Sequence, residues 1–229
     1  MMQMEQPSLP EIPWTTRDVW YGMGFLALWM ILLVIVQFVF HKLAIDVDLG
    51  LFTTLSEVVF FIPVWLFGVR KYRVDWSVVG LRRFSAAFVG MGCGFLILSY
   101  LFNFIYGFLV LLPLHQTLQG DLLPTIGQTL SSVWLWIGGI IVAPIAEEVF
   151  FRGFVFGGLK QSFGWKKAAL ISAALFSVAH LQLTAVLPIF VLGFFFAYLV
   201  HRSHSLWPAI LMHMLTNTVA FCAAYLLVR

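Results

Sequence analysis

The chain has 229 residues, 62% of them hydrophobic and 10% charged, with a mean hydropathy of +0.98 and a formal net charge of +3. Soluble domains are about a quarter charged, so this composition excludes a soluble globular protein and leaves a polytopic membrane protein with no room for a separate soluble domain. No basic run points to nucleic acid, and the small positive balance reflects loop lysines and arginines of the kind that orient membrane proteins.

Residues 1–19 are expected to form a cytoplasmic tail containing Pro7, Pro10 and Pro13. No basic stretch and no small-residue cleavage site flank a short apolar core, so the first apolar stretch is expected to be a retained helix rather than a cleaved signal. Seven apolar segments follow, over 20–40, 51–69, 86–112, 133–159, 168–181, 184–200 and 206–228. All but the fifth are long enough to cross about 30 Å of hydrocarbon. The expected fold is all-α, a polytopic transmembrane helical bundle of seven spans within a range of six to eight, where an eighth would be a half-span in 114–129. Residues 20–129 then form N-terminal transmembrane helices, and residues 130–228 a core that holds most of the intramembrane polar groups.

Basic residues set the expected orientation. Arg17, Arg70, Lys71, Arg73, Arg82, Arg83, Lys160, Lys166, Lys167 and Arg202 fall on one side, against Lys42 and Arg229 on the other. That alternation predicts an N-terminus inside and a C-terminus outside. Cys93 and Cys222 lie in apolar segments without a charged neighbour to activate them, and are read as small packing residues. The pairs Gly90/Gly94 and Gly153/Gly157 have the spacing of close helix contacts.

An ionised side chain near the bilayer centre costs about 2.5–3.5 kcal/mol, so polar groups inside spans are functional candidates. The notable ones are Glu57, Asn103, Glu147, Glu148, Arg152, His180, His213 and Asn217. At about 1.5 Å per helical residue, Glu148 lies about 18 Å from Lys160, His180 about 20 Å from Lys167, and His213 about 17 Å from Arg202. Three helices thus carry polar groups to one depth below the same face, where they can converge on one site. Glu57 fits either that site or the outer boundary.

Local spacing gives these residues partners. Glu148 and Arg152, Phe176 and His180, and His213 and Asn217 are each four residues apart, on one helix face. A Glu148–Arg152 ion pair would hold the neighbouring Glu147, which points about 100° away and is left free. Pro144 removes a helical hydrogen bond and predicts a bend beside the site. A carboxylate and a histidine can hold and deprotonate a water, and donors such as His213 and Asn217 can stabilise an oxyanion, which together suit amide hydrolysis without a Ser or Cys nucleophile. Two His and one Glu also suit zinc, although the helical spacing His-Glu-x-x-His is absent. Buried Glu and His serve proton-coupled transporters as well, but neither internal repeats nor paired broken helices are visible.

These residue sets resemble the CAAX-protease and bacteriocin-processing family, also called the ABI family of intramembrane glutamic proteases. Its Glu-Glu-x-x-x-Arg motif corresponds to Glu147, Glu148 and Arg152, its Phe-x-x-x-His motif to Phe176 and His180, and its His-x-x-x-Asn motif to His213 and Asn217. All three stand in family order, and the run from Ser205 to Ile210 is also similar, so the likeness covers residues 130–225. The resemblance implies that Glu147 and His180 activate water, that His213 and Asn217 form the oxyanion hole, and that Glu148, Arg152 and Phe176 support them. It implies an integral membrane endopeptidase of a prokaryotic plasma membrane that needs no cofactor, with zinc as the mechanistic alternative. Its partners would be membrane lipid and a peptide substrate: a prenylated Cys-a-a-X protein, a bacteriocin-type peptide or another membrane protein. A non-enzymatic scaffold or immunity protein on the same fold is the competing expectation.

Overall fold

The computed structural model describes residues 12–117 and 132–228, and among them every regular element is helical. The expected half-span in 114–129 falls largely outside the described residues. Among the described residues six helices are long and apolar enough to cross a membrane: α1 (Thr16–Lys42), α2 (Leu49–Arg70), α3 (Ala87–Leu111), α4 (Val133–Ala179), α5 (Leu183–Ser203) and α6 (Trp207–Val228). The chain is an integral membrane protein. Outward-facing leucines, isoleucines and phenylalanines such as Leu28, Ile97 and Phe104 are exposed, as hydrocarbon contact requires.

The fourth helix accounts for the difference between six helices and seven expected segments. It is two helical limbs joined at a kink at Gly164, where φ is 72° and ψ is 162°. This conformation is essentially restricted to glycine. The chain folds back there, so that Ser172 Oγ donates to the Phe151 carbonyl at 2.8 Å and the Phe151 and Phe176 rings meet edge to face at 5.2 Å. The outgoing limb up to Phe163 and the returning limb 165–179 correspond to the expected fourth and fifth segments.

α5 runs back antiparallel to the returning limb. Ser177 Oγ donates to the Val186 carbonyl at 2.6 Å near one end, and Trp165 stacks on His201 at 4.6 Å near the other. The buried core centres on the outgoing limb, where every residue from Val149 to Phe156 is buried. Ile12 and Trp14, expected in the N-terminal tail, pack into this core. Trp14 is fully buried and its Nε1 donates to the Phe154 carbonyl at 2.9 Å. Asp18, also buried, accepts from Thr15 and Tyr72 and pairs with Lys71, which locks α1 to the end of α2.

Close approach of α2 to α4 rests on small residues. A methyl on Gly138 would collide with Thr54, whose hydroxyl lies 2.7 Å from the Trp134 carbonyl. Gly153 and Gly157 are close-packed as their spacing suggests, against Val79 and Ile12. Gly90 and Gly94 are not: nothing lies within 4 Å of a side chain there, and Gly92, on the other face of α3, is the residue packed against Met212. Cys93 and Cys222 are unpaired and exposed rather than packed inside.

Gly164→Ala is expected to destabilise the protein by about 1–3 kcal/mol, because alanine must be held in a conformation that its Cβ disfavours. The added methyl has open space around it, so backbone strain alone is tested. Thermal unfolding in detergent reads the effect, and an unchanged midpoint would mean that the turn relaxes to an ordinary conformation.

Candidate active site

Glu147 and Glu148 sit in a short α-helical stretch of α4, Ala143–Glu148, between two π-helical stretches, Gly138–Val142 and Val149–Phe156. Single π turns inside α-helices occur often at functional sites. The first has an identifiable cause. The Ala143 N–H bonds to the Gly138 carbonyl, five residues back. The next rung would run from residue 144 to Gly139, but residue 144 is proline and has no N–H. The Gly139 carbonyl is thereby left without its helical donor, and Asn217 on α6 supplies one, its Nδ2 donating at 2.8 Å. The bend expected from Pro144 is thus a change of hydrogen-bond register, splinted by a side chain.

One turn further along, Glu148 is fully buried. Its Oε1 accepts from Arg152 Nη1 at 2.8 Å and lies 3.1 Å from Nδ1 of His213. Arg152 and His213 thus meet at the same carboxylate oxygen. Arg152, equally buried, donates from Nη2 to the Gly193 carbonyl of α5 at 3.2 Å, and its guanidinium lies over the Phe176 ring at 4.1 Å. Gly193 leaves room for this: a Cβ there would stand 3.1 Å from both Arg152 and Phe176. The expected i, i+4 ion pair is therefore present, and it binds α4 to α5 and α6 at once.

Glu147 is differently placed. Its side chain keeps 13% exposure, its Oε2 lies 3.7 Å from Nε2 of His213, and that oxygen has no hydrogen-bond partner among the described residues. His213 thus stands between the two carboxylates, each facing a different ring nitrogen. His180 closes the returning limb. Its Nδ1 lies 2.8 Å from the Phe176 carbonyl, which can only accept, so Nδ1 holds the hydrogen and Nε2 keeps a free lone pair. The Phe176 ring touches His180 at 4.6 Å and His213 at 5.8 Å between centroids.

The structure brings Glu147, Glu148, Arg152, Phe176, His180 and His213 into one connected group, as their common depth suggested. Asn217 reaches the same region through Gly139. Glu57 on α2 joins them: it is close enough to Glu147 for the two charges to interact, and its Oε2 is buried without a partner among the described residues. The depth rule finds this residue too, since Glu57 lies thirteen residues from Arg70, or about 20 Å below the basic face. Among the described residues no three His, Cys, Asp or Glu side chains are grouped so as to hold a metal ion.

The sequence profile described as type II CAAX prenyl endopeptidase Rce1-like matches residues 129–219, a segment that contains every motif residue of this group. Over that segment the chain is similar to the CAAX-protease family. A curated relative, the "Putative membrane peptidase YdiL" of Bacillus subtilis, is 38% identical over 78 residues, which are 34% of this chain and 32% of that protein. The match thus spans about a third of the relative's length. No solved structure matches the chain.

Two outcomes follow from this geometry. Arg152→Met is expected to cost about 3–5 kcal/mol by leaving Glu148 buried without its cation, and Glu148→Gln in the same chain is expected to recover much of that loss. Thermal unfolding of both single variants and the double variant measures the coupling, and strict additivity would show that the pair carries no interaction. Asn217→Ala is expected to cost about 1–3 kcal/mol by orphaning the Gly139 carbonyl. Pro144→Ala should relieve that cost, because the new N–H can bond to Gly139. Equal losses with and without Pro144→Ala would refute the splint.

Proposed function

We propose that the chain is an intramembrane endopeptidase in which Glu147 and His180 activate water to hydrolyse a peptide bond without a covalent intermediate. The observation that carries this reading is the contrast between neighbouring carboxylates: Glu148 is fully buried with its Oε1 tied to Arg152 and His213, whereas Glu147 keeps 13% exposure and its Oε2 has no hydrogen-bond partner among the described residues. Glu147 takes a proton from the water as the water oxygen bonds to the carbonyl carbon, and the C=O electron pair moves to the carbonyl oxygen. The His180 Nε2 lone pair orients the water by accepting its other hydrogen. The second N–H of Asn217 and the Nε2 side of the His213 ring meet the oxyanion. Collapse breaks the C–N bond, and the proton held by Glu147 passes to the leaving amine. A positioned general base contributes about 10²–10⁴ in rate, and each oxyanion donor about 10²–10³.

The proposed mechanism needs no cofactor. A groove of about 440 Å³ between α1 and the returning limb, walled by Met23, Leu26, Met30, Leu175, Val178 and Ala179, supports a substrate class. It is apolar and its wall includes Ala179 and Leu181, which flank His180 in sequence, and this suits a substrate carrying a lipid or a strongly apolar segment next to its scissile bond. A prenylated Cys-a-a-X peptide is the first substrate to try, and a bacteriocin-type peptide the second. The cell location we propose is a prokaryotic plasma membrane, with the N-terminus and the basic loops in the cytoplasm.

Purified protein in detergent is expected to cleave such peptides, and Glu147→Gln and His180→Ala are each expected to lower the rate by about 10²–10⁴ with the unfolding midpoint retained. Mass spectrometry of the products locates the cut. Wild-type rates in either variant would remove that residue from the mechanism. Full biological activity in a Glu147→Gln strain would favour the scaffold or immunity role instead.

A further inference from the structure

A second cavity, of about 570 Å³, opens at the membrane face that carries the basic loops. Its wall includes Arg82 from the α2–α3 connection, Arg152, Gly153 and Lys160 from α4, and His201 and His204 from the end of α5. No Asp or Glu lines it among the described residues. The basic groups feel one another: His201 interacts with Lys160 and His204, and burial, together with the charges of Lys160 and Arg82, holds the His204 imidazole below its ordinary range. Nδ1 of His201 is buried without a hydrogen-bond partner among the described residues, and so is Nε of Arg152.

Arg152 has Glu148 as its counter-charge, but Arg82 and Lys160 stand at this wall with no carboxylate lining it, which is unfavourable unless something anionic offsets it. The fold nonetheless holds them firmly. Leu206 N donates to the Gly80 carbonyl at 2.8 Å and Ser205 Oγ to the Arg82 carbonyl at 2.6 Å, which ties the Arg82 loop to the α5–α6 turn. Trp165 stacks on His201 and packs against Tyr198 at 5.7 Å, the aromatic furniture of a membrane–water interface. Lys160 stands about 18 Å along α4 from Glu148, at the depth where headgroups begin.

We propose that this cavity binds a phosphate group, and that its source is the headgroup of an anionic phospholipid. Basic pockets between transmembrane helices on the cytoplasmic side are suited to such headgroups. The volume accommodates a phosphate together with its glycerol, and the tryptophan and tyrosine at its edge sit where a lipid backbone passes from water to hydrocarbon. Arg152 belongs both to this wall and to the buried pair that holds Glu148, so the bound lipid stands one side chain away from the proposed catalytic group.

The test uses the full chain delipidated in non-ionic detergent. Thermal unfolding is followed with phosphatidylglycerol, with phosphatidylcholine, and with inorganic phosphate alone. Phosphatidylglycerol is expected to raise the midpoint and phosphatidylcholine not to. Lys160→Gln and Arg82→Gln are expected to weaken the apparent affinity at least tenfold, whereas Lys167→Gln, an exposed lysine outside the cavity, leaves it unchanged. Each variant is checked for an unaltered midpoint in phosphatidylcholine. An equal effect of inorganic phosphate alone supports the site and assigns a soluble phosphate as its ligand. Equal shifts by the two lipids, an equal loss in Lys167→Gln, or a shift given only by a peptide with a free C-terminal carboxylate would overturn the proposal.

Discussion

The pair formed by Glu148 and Arg152 is the interaction on which the rest of the site depends. Neither side chain has any exposure. Such a pair is weak evidence for stability, because the cost of removing both charges from water offsets most of their attraction, but it is demanding in geometry. Arg152 must reach Glu148 on its own helix, the Gly193 carbonyl on α5 and the Phe176 ring on the returning limb. Glu148 must also meet His213 of α6. Four stretches of chain thus have one mutual arrangement that satisfies a single buried charge pair, and Glu147 and His180 are placed as its neighbours.

Much of this was legible in the sequence because helices are regular. A spacing of four residues puts Arg152 over Glu148 and His180 over Phe176 whatever surrounds them, and counting residues from the basic loops gave three polar groups a common depth. What was not legible arises from breaks in that regularity. The π turns of α4 leave no trace in hydrophobic pattern, so nothing pointed to the Gly139 carbonyl as the partner of Asn217. Gly164 is one glycine among eighteen, and its backbone conformation, not the sequence around it, marks it as the turn. Helix phase was decisive for Gly90 and Gly94: their spacing fits a contact, but the contact lies on the opposite face, at Gly92. Glu57 obeys the depth rule, yet from sequence alone α2 had no reason to be next to α4, since that proximity depends on Gly138 yielding to Thr54.

The backbone defect at Pro144 has a logic particular to membranes. In water an orphaned carbonyl is solvated, whereas in hydrocarbon every backbone group must find a protein partner. Proline one turn before the paired carboxylates is therefore tolerable only with a donor from elsewhere, and Asn217 lies on the same face of α6 as His213. The asparagine that splints α4 is also the one that sets how far His213 reaches towards Glu147 and Glu148. This ties the position of one candidate donor to the integrity of the helix that carries the candidate base.

The fold-back at Gly164 has a further consequence in the lipid. The returning limb has fifteen residues, or about 22 Å, before the turn at His180, well short of about 30 Å of hydrocarbon. Leu181 and Leu183 beside that turn are exposed. A bilayer meets an element too short for it by thinning or by letting polar groups stretch towards the surface. The hydrophobic mismatch is local, confined to the flank where His180 lies. Thinning on that flank would bring the opposite headgroup layer towards His180 and shorten the stretch of hydrocarbon between that residue and water.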